Sequence, residues 1–265
     1  MPPMRSQALP ILCYHKCGPA DREGRRLNVE PRRLAAHARF FLRRGTEFVT
    51  AGQLAERWPD RGVCLTFDDG YASTIQNGFG ALEVLGVRAS VYVVTELVGS
   101  SADWEGGDGA PLAGWDELLD AHRRGFEVGC HTATHARMDG LDPEAQRREV
   151  LGALETLRGR GIEARSFCHP YGRYDSATLE ILQGAGVPIG LALGKRPALP
   201  TDPRLELPRI VLAYSDGVAM LLYKMVLRPR LRQASGAAKR PTKAVAAATA
   251  GEQRWVLDLG PCLPS

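Results

Sequence analysis

Val63 to Tyr71 reads VCLTFDDGY and ends an apolar run on two adjacent carboxylates, Asp68 and Asp69. Asp and Gly suit turn dihedrals, so Asp68-Asp69-Gly70 alone reads as a turn. Its place at the end of a buried-looking strand argues for more, because two carboxylates there repel unless a cation or a proton intervenes. Downstream, CHTATH sets His131 and His135 four residues apart after the run EVGC. If that segment turns helically, both imidazoles face one way and can share a metal ion, with Asp69 or Asp68 completing the set. The third cluster is FCHPYGRYD, from Phe167 to Asp175. Pro170 restricts His169 and Gly172 permits a sharp bend, so the backbone at Tyr171 is expected in a fixed, exposed geometry whose N–H suits an oxyanion. Tyr14-His15 closes the first apolar run, and a histidine can protonate a leaving amine near neutral pH.

The elements that must carry these clusters alternate. Strands are expected at Leu9 to Tyr14, Phe48-Val49, Val63 to Phe67, Ala89 to Val94, Glu127 to Cys130, Ser166 to Cys168, Ile189 to Leu193 and Leu207 to Leu212, with helical patterns between most of them. Pro31 opens a helix with Leu34, Ala38, Phe41 and Leu42 on one face and Gly45 past its end, and Asp142-Pro143 opens another that runs to about Arg160. Further helices are expected to end at Gly86, to span Trp115 to Arg124 and about Ser176 to Ala185, and to follow Asp216. Roughly seven βα repeats with no GxGxxG or Walker sequence favour an α/β barrel of the distorted (β/α)7 type over an open sheet. All four polar clusters then lie at C-terminal strand ends, where such barrels carry their sites.

The 265 residues, nearly half of them apolar, suit one barrel domain, placed at 1–227. From about Arg228 the composition turns to Arg, Lys, Ala, Pro and Thr, so 228–265 is expected as a flexible tail, with weak contact to an anionic surface and back-docking of Trp255 to Leu259 as options. A net charge of +4, with the basic residues spread among acids except at the C-terminal end, gives no sign of a nucleic-acid-binding face, and no nucleic-acid partner is expected. Cysteines 13, 17, 64, 130, 168 and 262 form no CxxC and no disulfide framework, which favours a reducing compartment. The N-terminus lacks an apolar signal region and no window reaches membrane-spanning length, so the chain is expected to be cytoplasmic, with periplasmic or cell-surface action as the alternative.

Together these residues resemble the polysaccharide deacetylase family, also called the NodB-homology or carbohydrate esterase 4 group. TFDDGY at Thr66 to Tyr71, HTATH at His131 to His135 and HPYG at His169 to Gly172 carry the resemblance, in that order, over about Leu9 to Leu212. It implies a distorted barrel with fewer than eight regular repeats and one divalent metal ion, zinc first, then Co, Ni, Fe or Mn, held by Asp69, His131 and His135. It also implies Asp68 as general base and the Tyr171 backbone N–H as oxyanion donor. Many members have an arginine in the third motif that braces the catalytic aspartate, where this chain has Cys168-His169. Many also place an acid histidine after the last strands, and this chain has no histidine beyond His169. A sub-branch that opens with Tyr-His resembles this chain in both respects, which makes His15 the candidate acid and His169 the reserve.

The implied reaction is hydrolysis of an N-acetyl group on an amino-sugar glycan, with water activated by the metal and by Asp68. His169 and Tyr171 are expected at the substrate, and Trp104 or Tyr174 could stack on sugar rings. The rival expectations are a silent homologue that binds metal or glycan, a hydrolase for a non-sugar amide, and a non-haem iron oxygenase, whose ligands are also two histidines and a carboxylate.

Overall fold

In the computed structural model, which describes residues 8–105 and 109–234, the chain forms a closed barrel of seven parallel strands with helices outside it. The strands are β1 (Ile11–Tyr14), β2 (Glu47–Phe48), β3 (Gly62–Phe67), β4 (Ser90–Val93), β5 (Glu127–Cys130), β6 (Ser166–Cys168), β7 (Ile189–Gly194) and β8 (Leu207–Val211). β1 pairs with β8 on one side and with β3 on the other, which closes the ring, while the two-residue β2 only flanks the start of β3. The helices are α1 (Ala20–Glu23), α2 (Pro31–Leu42), α3 (Gly80–Glu83), α4 (Trp115–Arg123), α5 (Pro143–Gly159), α6 (Ser176–Gly184), α7 (Val218–Leu222) and α8 (Arg228–Ala234). A parallel barrel has no place for the double-stranded β-helix of the oxygenase alternative.

Most expected elements form, and for the expected reasons. Asp142 caps α5 by accepting from Ala145 N, with Pro143 in the first turn, and Asp175 caps α6 by accepting from Thr178 N. The tail expected from Arg228 starts differently: α7 continues through π-helical Tyr223–Leu227 into α8, so helix extends to Ala234. The rest of that tail, with Trp255 to Leu259, lies outside the described residues. No helix among the described residues is long and apolar enough to cross a membrane.

The period of two along each strand sorts side chains into two cores. Leu12, Tyr14, Leu65, Phe67, Val91, Val128 and Phe167 face the helices. Ile11, Cys64, Tyr92, Cys168, Leu191 and Leu207 belong to a second core within the ring. Tyr92 lies across the barrel with its hydroxyl 2.9 Å from Ser166 Oγ, and Gly129 leaves room for it, since a Cβ there would fall 2.5 Å from the Tyr92 ring. Glu127 accepts from Gly52 N, Ser90 Oγ and Ser166 Oγ and fixes the bottom of the barrel.

Gly129→Val should therefore overpack the interior and lower stability by about 1–3 kcal/mol, read as a fall in melting temperature; an unchanged melting temperature would show that Tyr92 has other room.

Candidate active site at the barrel mouth

The row Cys64, Thr66, Asp68 points inward along β3, so Asp68 lies at the mouth on the same side as the barrel interior. Period two should then send Asp69 outward. It does not, because Asp69 takes a left-handed conformation at φ 72° and Gly70 follows at φ 77°, so the chain turns and Asp69 also reaches the mouth. Five non-glycine residues among those described have positive φ: Leu27, Asp69, Thr132, His135 and Tyr171. Four of the five belong to the predicted clusters. Backbone strain of this kind costs on the order of 1–3 kcal/mol per residue and persists only where the surroundings enforce it.

Asp69 Oδ1 is 3.2 Å from His131 Nε2 and 3.2 Å from His135 Nε2, and all three residues are buried. The helical turn expected for CHTATH is corrected: the segment is a loop, with left-handed φ at Thr132 and His135, and Thr132 Oγ1 accepts from His135 N at 3.0 Å. A helix would place the rings side by side; the double reversal points both Nε2 atoms at one carboxylate instead.

These residues fit a divalent metal ion. His131 Nδ1 donates to the Cys168 carbonyl at 2.8 Å, so in the neutral imidazole Nε2 carries a lone pair toward Asp69, and two acceptors at 3.2 Å call for a cation between them. Two ligands about 2.0–2.1 Å from a tetrahedral zinc stand about 3.3 Å apart, close to the spacing seen. One carboxylate oxygen and two imidazole nitrogens leave further coordination positions open, as in catalytic zinc sites. Burial raises the Asp69 carboxyl, but where both imidazoles carry a proton on Nε2 in place of the ion, their hydrogen bonds and the charges of His135 and His15 hold it well below the usual carboxylate range.

Asp68 has a partner that the sequence reading missed. Arg209 on β8 is fully buried, and it donates from Nη1 to Asp68 Oδ1 at 2.5 Å and from Nη2 to Oδ2 at 2.7 Å. Nη1 also reaches Thr66 Oγ1 at 3.1 Å, and Nη2 reaches Cys168 Sγ at 3.0 Å. Burial pushes the Asp68 carboxyl up, yet the Arg209 charge and hydrogen bonds outweigh it and bring it to about 2. An arginine inside the apolar run LPRIVL was the available signal, since a charge in a buried strand needs a partner. The brace expected in the third motif is thus supplied from another strand.

A second missed residue is Glu149 on α5. Its carboxylate accepts from Ala133 N at 3.0 Å, from Thr134 N at 2.9 Å and from Thr134 Oγ1 at 2.7 Å, and so holds the loop between the two histidines. Thr95 N and Glu96 N donate to Thr132 and Ala133 carbonyls from the other side.

The remaining predicted residues divide. His15 Nε2 is 4.0 Å from Asp68 Oδ2 with the side chain partly open to solvent, and Thr74 Oγ1 donates to the His15 carbonyl at 2.5 Å. Tyr14 turns away into the helical core, where its hydroxyl donates to His37 Nδ1 at 3.0 Å and His37 Nε2 donates to the Asp216 carbonyl. Tyr171, at φ 57°, sits in the turn Pro170–Gly172 with its ring 4.6 Å from that of His135. Gly172 permits this turn, since a Cβ would lie 2.8 Å from Leu193. Trp104 also lies against His135, the ring centroids 4.0 Å apart and the planes tilted by 31°. His169 is fully buried, its Nε2 donates to the Leu205 carbonyl, and burial lowers it to about 4. Tyr174 stacks on His169 and donates to Glu206, away from the trio. The five described cysteines are free and buried.

Comparison with known proteins gives the family and the fold. The polysaccharide deacetylase family model matches residues 55–190, half of the chain, and that span includes Asp68, Asp69, His131, His135 and Tyr171. The polysaccharide deacetylase homologue YxkH of Bacillus subtilis is 22% identical over 190 residues, which cover 69% of this chain and 63% of YxkH. The chain therefore spans less than two thirds of that relative's length. Among solved structures, the Streptococcus pyogenes deacetylase PplD in complex with acetate superposes with a TM-score of 0.72 at 22% identity, covering 83% of this chain and 99% of PplD. The de-N-acetylase of Aggregatibacter actinomycetemcomitans gives 0.70 at 16% identity, over 82% of this chain and 99% of that one.

Arg209→Met should strand the Asp68 carboxylate and cost about 3–5 kcal/mol at neutral pH in chemical denaturation. The sign follows from the depressed carboxyl: the native stabilisation is complete above about pH 4 and is lost as pH falls toward about 2, so the two proteins should converge in acid. Glu149→Ala should weaken zinc binding by about 10–100-fold in a chelator competition, the usual cost of losing a ligand's supporting contacts; an unchanged zinc affinity would refute the clamp.

Proposed function

The chain belongs to the polysaccharide deacetylase family, and on that premise we propose that it is a metal-dependent hydrolase that removes N-acetyl groups from an amino-sugar glycan. The observation that carries the reading is the adjacency of an ionised carboxylate, Asp68, to a separate two-histidine, one-carboxylate trio at the same mouth. Each aspartate has its own electrostatic partner, so the two can hold different roles.

Asp69, His131 and His135 would hold the metal ion, which when bound would lower the pKa of water from 15.7 to about 7 and polarise the acetyl carbonyl. Asp68 takes the proton from the attacking water. A carboxyl near 2 is a weak base for ordinary water, so the arrangement works only with water already acidified. Arg209 keeps Asp68 charged and fixes both oxygens, which leaves the remaining lone pairs to accept. The Tyr171 N–H, held by the left-handed turn, would stabilise the oxyanion, a donor of a kind worth about 10²–10³ in rate. His15 then gives a proton to the departing sugar amine; of the two histidines considered for this role, His169 is sealed from the mouth. The Trp104 ring, beside His135, offers a flat wall against which a sugar face or the acetyl methyl can rest.

Acetate release from chitooligosaccharides and acetylated peptidoglycan fragments tests the reading. Activity should vanish with chelator, return with Zn, Co, Ni, Fe or Mn, and fall by about 10²–10⁴ in Asp68→Asn. His15→Ala should slow turnover at unchanged zinc affinity, and full activity in that variant would remove His15 as the acid. Inactivity on every substrate with every metal would favour the silent homologue.

A further inference from the structure

The described residues expose ten large apolar side chains, and six of them fall on one helical stretch: Met220, Leu222, Tyr223, Val226, Leu227 and Leu231. The other four, Leu42, Val84, Leu151 and Leu193, are scattered singly over different elements, as is ordinary for a protein surface. The stretch from α7 to α8 has two faces. Val218, Leu221 and Met225 pack on the core, and Lys224 is tied to Asp216 Oδ2 and the Val211 carbonyl. Met220, Tyr223, Leu227 and Leu231, spaced three, four and four apart, line one exposed side of the helix, turned from the core-packed Leu221 and Met225. A helix resting on a barrel carries polar residues on its outer face. Here the outer face is a stripe of apolar side chains, with Leu227 53% and Leu231 59% exposed.

Charge names the occupant. From Gly217 to Gly251 the chain has no acidic residue, while Arg228 and Arg230 fall within the stripe and Arg232, Lys239, Arg240 and Lys243 follow it in sequence. Arg230 is exposed beside Leu231, and Arg228 is half-buried. A second copy docking through the same face by two-fold symmetry would set like charges against like. An anionic bilayer surface satisfies both features: its acyl boundary takes Met, Leu and the Tyr ring, and its phosphates take the arginines. We propose that the α7–α8 helix docks on anionic phospholipid membranes, lying in the plane of the interface. The basic run after it adds electrostatic attraction, the second of the two signals that stable peripheral binding requires.

The proposal is independent of the catalytic reading, because binding is read without turnover. The full chain is sedimented with vesicles of phosphatidylcholine alone and with roughly a quarter phosphatidylglycerol. Binding is expected to the anionic vesicles only, and to drop when salt rises from about 0.1 M to about 1 M, as the screening length shrinks from about 10 to about 3 Å. Leu227→Ser and Leu231→Ser should each weaken partitioning about tenfold. Arg230→Ala should weaken it about fivefold, since one cation at such a surface is worth that factor. All three positions are exposed, so melting temperatures should stay at the native value, and acetate release from soluble substrate should be unchanged. Equal binding to neutral vesicles overturns the proposal, as does binding that the two serine variants leave intact. A wild-type dimer in light scattering that those variants convert to monomer would assign the stripe to a second copy instead.

Discussion

A carboxylate and a guanidinium buried together in a barrel mouth set the terms for the rest of this site. Asp68 and Arg209 are both removed from water, and either one alone would be an uncompensated buried charge. Their pairing requires β3 and β8 to lie one strand apart, which happens only because β1 closes the ring by pairing with both. Cys13 and Cys168 lie against the pair, Cys13 Sγ 3.5 Å from Asp68 and Cys168 Sγ 3.0 Å from Arg209. Burial pushes both thiols well above their ordinary range, so they stay neutral and add no competing charge.

The pair also explains how two adjacent aspartates can coexist. Arg209 neutralises Asp68 from the barrel side, and the imidazoles of His131 and His135 face Asp69 from the loop side. The backbone does the separating, since left-handed φ at Asp69 sends the second carboxylate to a different set of partners from the first. Such strain survives here because the next segments are strapped. Ala113 N donates to Gly70, Glu149 holds the loop between the histidines, and the Cys168 carbonyl fixes the tautomer of His131. A site that depends on three left-handed loops thus rests on contacts from the segment before α4, from α5 and from β6 at once.

Much of this architecture was legible in the chain. Strand and helix alternation came from apolar periodicity and from caps such as Asp142-Pro143, which act within a few residues and so need no knowledge of the fold. The π-helical Thr74–Phe79 and the extension of helix to Ala234 were not legible, because both depend on what the helix packs against. His169 shows the same limit from the other side: its motif placed it beside the site, and burial turned its ring toward Leu205.

Residue type and order by themselves determined which side chains could act, because carboxylates, imidazoles and a Pro-Tyr-Gly turn have chemistry wherever they are. They also determined the barrel, because short apolar runs alternating with helices close in few other ways. The tertiary structure alone decided the pairings. Arg209 stands 141 residues from Asp68, and Glu149 reaches the histidine loop from α5. Such contacts are set by ring closure and strand register, and no local pattern encodes them. The reversal at Asp69 and the non-helical path from His131 to His135 belong with them, since a strained backbone is chosen by the contacts that hold it and leaves no trace in propensity.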